Sequence, residues 1–226
     1  MAYTNNTDII DSALLNERIA VWDDISINII NRIESALEGY RERENISSFS
    51  DISQNQWQAA LMFIGKYVFI DKSPLKYTMD DKPLLDSIGF KYISINNIYN
   101  PYIMDKLADY YIFLCTKYDK GVTPYCYIWF TNIDQNTFYS WNEDTENVRG
   151  PAKGPKLSPS FADIVKKVYA TYEQSAENKL WTNKNPVAVM AITNRRFGWN
   201  MPGVGRDSRG RSALGAAELP QLDQKS

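Results

Sequence analysis

Gly121-Val-Thr-Pro-Tyr-Cys-Tyr-Ile-Trp-Phe-Thr-Asn-Ile-Asp-Gln-Asn-Thr-Phe-Tyr-Ser-Trp-Asn-Glu-Asp144 reads as two short helices around a tight turn. Thr123 supplies a side-chain oxygen for a helix N-terminus, and Pro124 occupies the first helical position, where its missing N–H costs nothing. The spacing predicts a first helix to about Phe130 and a turn over Thr131-Asn132-Ile133. That turn needs a residue tolerant of positive φ, and Asn is the type that follows Gly in tolerance. Ile133 is the apolar plug after the turn, and Asp134 caps a second helix whose Phe138 and Trp141 face inward. The pattern is that of a helix-turn-helix, in which the second helix enters the major groove.

On that reading Gln135, Asn136, Thr137, Tyr139, Ser140 and Asn142 point outward. Asn and Gln pair with adenine edges through two hydrogen bonds, and Ser and Thr reach bases or phosphates. The second helix contains no Lys or Arg. Phosphate contact therefore falls to cations flanking the unit, Lys117, Lys120, Arg149, Lys153 and Lys156. The same spacing also fits two ordinary core helices with amides on the solvent side. Charge is uneven along the chain: residues 1–144 carry 12 Lys/Arg against 20 Asp/Glu, and residues 145–226 carry 13 against 7. A basic rear can meet phosphate or an acidic partner, or can simply be a solvated surface.

Outward from this unit the periodicity is helical almost throughout. Ser26 is placed to cap a helix with Ile29, Ile30, Ile33, Leu37 and Tyr40 on one face, closed by Arg41-Glu-Arg-Glu44. Ser53-Gln-Asn-Gln56 matches a capping box ahead of Trp57, Leu61, Ile64 and Val68, and Gly65 allows that helix to stop early. Turn formers crowd residues 71–101, where Phe90-Lys-Tyr-Ile-Ser-Ile95 reads as a short strand or an extended connection. A helix follows from Pro101, with Gly121 as its left-handed terminator. Residues 147–160 hold three prolines and two glycines and read as a linker, without the spacing of a phosphate-binding loop. Ser160 caps a helix bearing Phe161, Ile164, Val165, Val168 and Tyr172, with Lys166, Lys167 and Glu173 largely opposite. Asn185-Pro186 opens another, ending at Arg195-Arg196-Phe-Gly198.

The expected organisation is therefore mainly α: a helical segment over 1–70, a helical region over 71–146 holding the helix-turn-helix at about 121–144, a linker over 147–160, a helical pair over 161–200 and a flexible basic tail over 201–226.

The 226 residues include two cysteines and no histidine. Serine, cysteine and metal chemistries that depend on imidazole are excluded, as is the usual general base near neutral pH. Cys115 and Cys126 lack the clustering of a zinc site and read as buried, reduced thiols. An enzyme would rest on carboxylates such as Asp80, Asp81, Glu143 and Asp144, but adjacent carboxylates seldom converge on one ion. The expectation is no catalysis, no cofactor and no bound metal. No run approaches a membrane span, and Met1–Asp8 lacks the basic and apolar segments of a signal peptide, so a cytoplasmic location is expected.

Two stretches resemble bacteriophage small terminase subunits. Thr131-Asn-Ile-Asp-Gln-Asn-Thr-Phe-Tyr-Ser-Trp141 is similar to the end of their helix-turn-helix, and Asn185-Pro-Val-Ala-Val-Met-Ala-Ile-Thr-Asn-Arg-Arg-Phe-Gly-Trp199 is similar to a late helix of such proteins. Here the helix-turn-helix stands in the middle of the chain rather than at its start. The resemblance implies a non-catalytic, ring-forming protein that binds the packaging site on double-stranded viral DNA in the host cytoplasm. It also implies a partnership with the large terminase subunit, which holds the ATPase and nuclease. Arg206, Arg209 and Arg211 would serve that partner, or DNA. Two other readings stay open: a dimeric replication or transcription regulator using the same motif, and a virion or interaction protein that binds no DNA.

Overall fold

The computed structural model describes residues 12–90, 94–142, 159–182 and 190. Among these the chain is mainly helical: α1 (Ser12–Arg43), α2 (Gln54–Val68), α3 (Lys82–Ser87), α4 (Pro101–Lys117), α5 (Pro124–Thr131), α6 (Gln135–Ser140) and α7 (Phe161–Thr182). Three 3-10 turns, Ser73–Leu75, Met79–Asp81 and Ile95–Asn97, fill the connections. No strand occurs among the described residues. An isolated bridge pairs Lys76 with Tyr99, and part of the expected strand near residue 95 is instead a 3-10 turn. Residues 91–93 of that stretch lie outside the described residues, as do linker residues 147–158, the tail and, apart from Met190, the helix expected from Pro186. None of the described helices is long and apolar enough to cross a membrane.

The chain divides into two units, residues 1–175 and 176–226. The first holds α1–α6 and most of α7. The second is described only through the end of α7 and Met190.

Local chemistry sets the helix ends. Ser53 and Gln56 form the reciprocal capping box of α2, and Asn100 caps α4 by accepting from the Tyr102 amide. Helices α1, α3 and α4 each end on a left-handed residue, Asn45, Gly89 and Asp119 in turn. In each case the amide of the following residue returns to a carbonyl of the last turn, as Lys120 does to Cys115 at 2.8 Å. Asp119, not Gly121, therefore terminates α4. Its short side chain tolerates the left-handed region, and it stands two residues before the glycine, so the helix has ended before Gly121 is reached.

Ser26 is likewise not a cap. The helix continues through it, and its hydroxyl donates back to the Trp22 carbonyl at 2.7 Å. Trp22, Ile29, Ile33, Ala36, Leu37 and Tyr40 form one buried stripe within the 32-residue α1. That long stripe, packed on α2 and α4, carries the helix past the serine. Nor does α2 stop at Gly65; it runs on to Val68.

The core of the first unit is a single apolar cluster centred on Trp57, Leu61, Ile64, Leu107, Tyr111, Tyr127 and Phe130. Cys115 and Cys126 lie inside it as free thiols, and burial pushes the Cys115 thiol up to about 12 and raises that of Cys126. Thiolates, not thiols, attack disulfide reagents. The native chain is therefore expected to leave both thiols unmodified by a chromogenic disulfide at about pH 8, and to release two equivalents once denatured. Fast reaction of either thiol in the native chain contradicts this packing.

Candidate nucleic-acid interface

Helix α5 is built as an interior element. Thr123 caps it by accepting from the Cys126 amide, Pro124 opens it, and Cys126, Tyr127, Ile128, Phe130 and Thr131 are buried. Its position is set by polar contacts as well as apolar ones. Tyr127 donates to the Met104 carbonyl at 2.9 Å, and the Tyr111 hydroxyl both accepts from the Thr123 amide and donates to its carbonyl. On its other side α5 lies directly against α2. A Cβ built on Gly65 would stand 1.9 Å from the Trp129 carbonyl oxygen. Gly65 is thus a point of backbone contact between helices.

Helix α5 ends on Asn132, whose φ of 52° and ψ of 29° lie in the left-handed region. Its side chain has a second task. Asn132 Nδ2 donates to the Phe69 carbonyl at 3.0 Å, joining the turn to the end of α2. Arg32 holds the neighbouring Val68 carbonyl at 2.8 Å, so two unpaired carbonyls at that helix end are satisfied from two other elements. A glycine at position 132 would give the backbone but not this tie.

Asp134 caps α6 by accepting from the Asn136 and Thr137 amides. The helix has six residues. Its Phe138 is fully buried against Tyr127 with centroids 5.6 Å apart, and Trp141 stacks on Phe161 of α7 at 4.4 Å and 15°. These contacts fix which face is free. Gln135, Asn136 and Asn142 are exposed. Thr137 and Ser140 are half-buried, and the Ser140 hydroxyl donates to the Thr137 carbonyl at 2.7 Å. Tyr139 is half-buried in a cluster with Tyr125, whose ring it meets edge to face with centroids 6.4 Å apart, and Tyr169; burial, more than these neighbours, raises its pKa.

The flanking cations separate into three groups. Lys117 is exposed and lines a groove with Glu34, Glu38, Arg41 and Tyr110. Lys120 is engaged within the fold: its ammonium donates to the Ser50 and Ile52 carbonyls at 2.9 and 2.7 Å and ties the loop before α2 to the end of α4. Arg149, Lys153 and Lys156 lie outside the described residues. On α7, Lys166 is exposed, whereas Lys167 turns inward and bridges Asp105 and Asp109 of α4 at 2.6 and 2.7 Å. Sequence reasoning missed Tyr125, Tyr169 and Lys166 as neighbours of α6 or of its cluster. Only the fold of α7 brings residue 169 to residue 139.

No family model, curated protein or solved structure matches this chain.

Proposed function

We propose that this chain is a non-catalytic DNA-binding protein of the small terminase kind, which recognises a packaging site on double-stranded DNA and recruits the large ATPase and nuclease subunit. The observation that carries the DNA-binding part is the division of faces on α6. Phe138 and Trp141 are buried, while Gln135, Asn136 and Asn142 are exposed beyond a left-handed turn at Asn132. Amides free of partner elements on a short capped helix suit base-edge contacts better than core packing, which would have placed apolar residues there. The packaging role rests on the resemblance of residues 131–141 and 185–199 to that family. Assembly as a ring and partnership with the large subunit belong to the same proposal.

The test starts with a duplex selected by the full chain from a random library and compares it with random-sequence duplex. Asn136→Ala is expected to weaken binding to the selected duplex by about 1–3 kcal/mol and to leave random-sequence binding nearly unchanged. Equal loss on both duplexes, or no loss on either, removes α6 as the reader. Mass in solution then separates the two DNA-binding roles. A ring-forming packaging protein sediments as a large oligomer, and an operator-binding regulator as a dimer with half-sites about one helical turn apart.

A further inference from the structure

A reading helix without Lys or Arg needs charge from elsewhere, because phosphate contacts set the register of a protein on the duplex. Of the cations near it in sequence, Lys120 is spent on carbonyls inside the fold and Lys117 lines the groove beside Glu34 and Glu38. Packing brings two others to α6 from far along the chain.

The first arrives at the end of α2. Asn132 of the α5–α6 turn donates to the Phe69 carbonyl, and Arg32 of α1 donates to the adjacent Val68 carbonyl at 2.8 Å. Consecutive carbonyls thus hold the Arg32 guanidinium next to the turn that precedes α6. Arg32 is an exposed residue, and that bond uses one of its several N–H donors.

The second is Lys76, whose backbone is fixed by the bridge to Tyr99. The Tyr77 amide donates to the Ile98 carbonyl at 3.0 Å, and the Asn100 amide to that of Leu75 at 2.9 Å. The Lys76 ammonium lies over the Tyr99 ring, 5.8 Å from its centroid. That ring meets Trp141, the residue that ends α6, edge to face at 6.0 Å. The two cations therefore bracket the short helix, one at the turn before it and one a single ring from its end. Neither belongs to an ion pair among the described residues, unlike Arg41, Lys106 and Lys167. The carboxylates of Asp71 and Asp134 are taken up locally. Asp71 accepts from the Ser73 amide and hydroxyl at 2.9 and 2.6 Å, and Asp134 from the two amides it caps.

We propose that Arg32 and Lys76 hold the phosphate backbone of bound duplex DNA on either side of α6. This rests on the DNA-binding reading above and adds α1 and the loop between α2 and α3 to the interface. A guanidinium already oriented by one carbonyl keeps donors for a phosphate oxygen, and an ammonium over a ring face is a point charge for another. Such contacts position the protein and carry no sequence information.

The experiment measures binding of the full chain to random-sequence and selected duplexes over a range of salt. Arg32→Gln and Lys76→Gln are each expected to reduce the slope of log K against log salt by about 1 in magnitude, and the double variant by about 2, on both duplexes. The preference for the selected duplex is expected to stay that of the parent. Lys76→Arg keeps the charge and is expected to keep the slope. Arg41→Gln removes a cation about 14 Å further along α1 and is expected to leave the slope unchanged. Circular dichroism and thermal melting establish that each variant is folded. Folded Arg32→Gln and Lys76→Gln chains with the parent's slope refute the phosphate contacts while the α6 reading stands. An Arg41→Gln chain that loses as much slope as Arg32→Gln refutes them too, since the slope then follows overall charge. A parent chain that binds neither duplex removes the DNA reading, and these contacts with it.

Discussion

Asp81→Ala is expected to destabilise the first unit by about 3–5 kcal/mol, the cost of removing one partner from a buried charge pair. For a unit of this size that corresponds to a fall in melting temperature of about 6–20 °C. Asp81 is 1% exposed, between α1 and the start of α3. One carboxylate oxygen accepts from Arg18 Nε at 2.8 Å and Trp22 Nε1 at 2.9 Å; the other accepts from the Thr78 amide at 2.7 Å and its hydroxyl at 3.0 Å. Alanine leaves a guanidinium, a buried indole and the Thr78 amide without an acceptor. Arg18→Met removes only one of these donors, and the carboxylate keeps the others. Chemical unfolding should therefore rank Asp81→Ala well above Arg18→Met. Equal costs would mean that the ion pair alone dominates and the other donors contribute little.

Asp81 also illustrates what the sequence can and cannot reveal. Beside Asp80 it reads as one of a pair of carboxylates. Its partner Arg18 is 63 residues away, and no local pattern encodes that distance. What was legible was local. Ser53, Thr123 and Asp134 act as caps because a side-chain oxygen two or three residues before a free amide satisfies it whatever the rest of the chain does. Asn132 is left-handed for a similarly local reason, the low cost of that conformation for Asn.

Local signals failed where packing outweighed them. Ser26 has the chemistry of a cap, but the apolar stripe of α1 continues on both sides of it and holds the helix intact. Gly121 has the conformational freedom of a terminator, but Asp119 is reached first. Lys120 offers a cation beside the candidate interface, yet its ammonium serves two carbonyls of the loop before α2. Of the outward residues read from the sequence, Gln135, Asn136 and Asn142 are exposed; Tyr139 is half-buried with its ring against Tyr125 of α5, a packing that the spacing of polar and apolar residues did not reveal.

Glycine gives the second large expected effect, through a comparison between two positions. Gly39 lies exposed within α1 and has nothing within 4 Å of a Cβ, so Gly39→Ala is expected to stabilise the chain by roughly 0.5–1 kcal/mol through helix propensity alone. Gly65 is also helical and would gain the same propensity. Its Cβ, however, would stand 1.9 Å from the Trp129 carbonyl oxygen, 3.1 Å from the carbonyl carbon and 3.4 Å from the Phe130 oxygen. Backbone cannot swing aside as a side chain does, and the buried α5 is held on its other side by Tyr111 and by Tyr127 bonded to Met104. Overpacking of about 3 kcal/mol then outweighs the propensity gain, and Gly65→Ala should destabilise by about 2 kcal/mol or more. The displacement must also reach α6, because Asn132 ties the end of α5 to Phe69, one turn beyond Gly65. Under the DNA-binding role proposed above, at temperatures where Gly65→Ala remains folded, its preference for the selected duplex over random sequence should therefore fall along with its stability. A Gly65→Ala chain as stable as the parent would mean that α2 and α5 do not meet as closely as this packing requires, and the orientation of α6 would then have to be set by its contacts with Tyr127 and Phe161 alone.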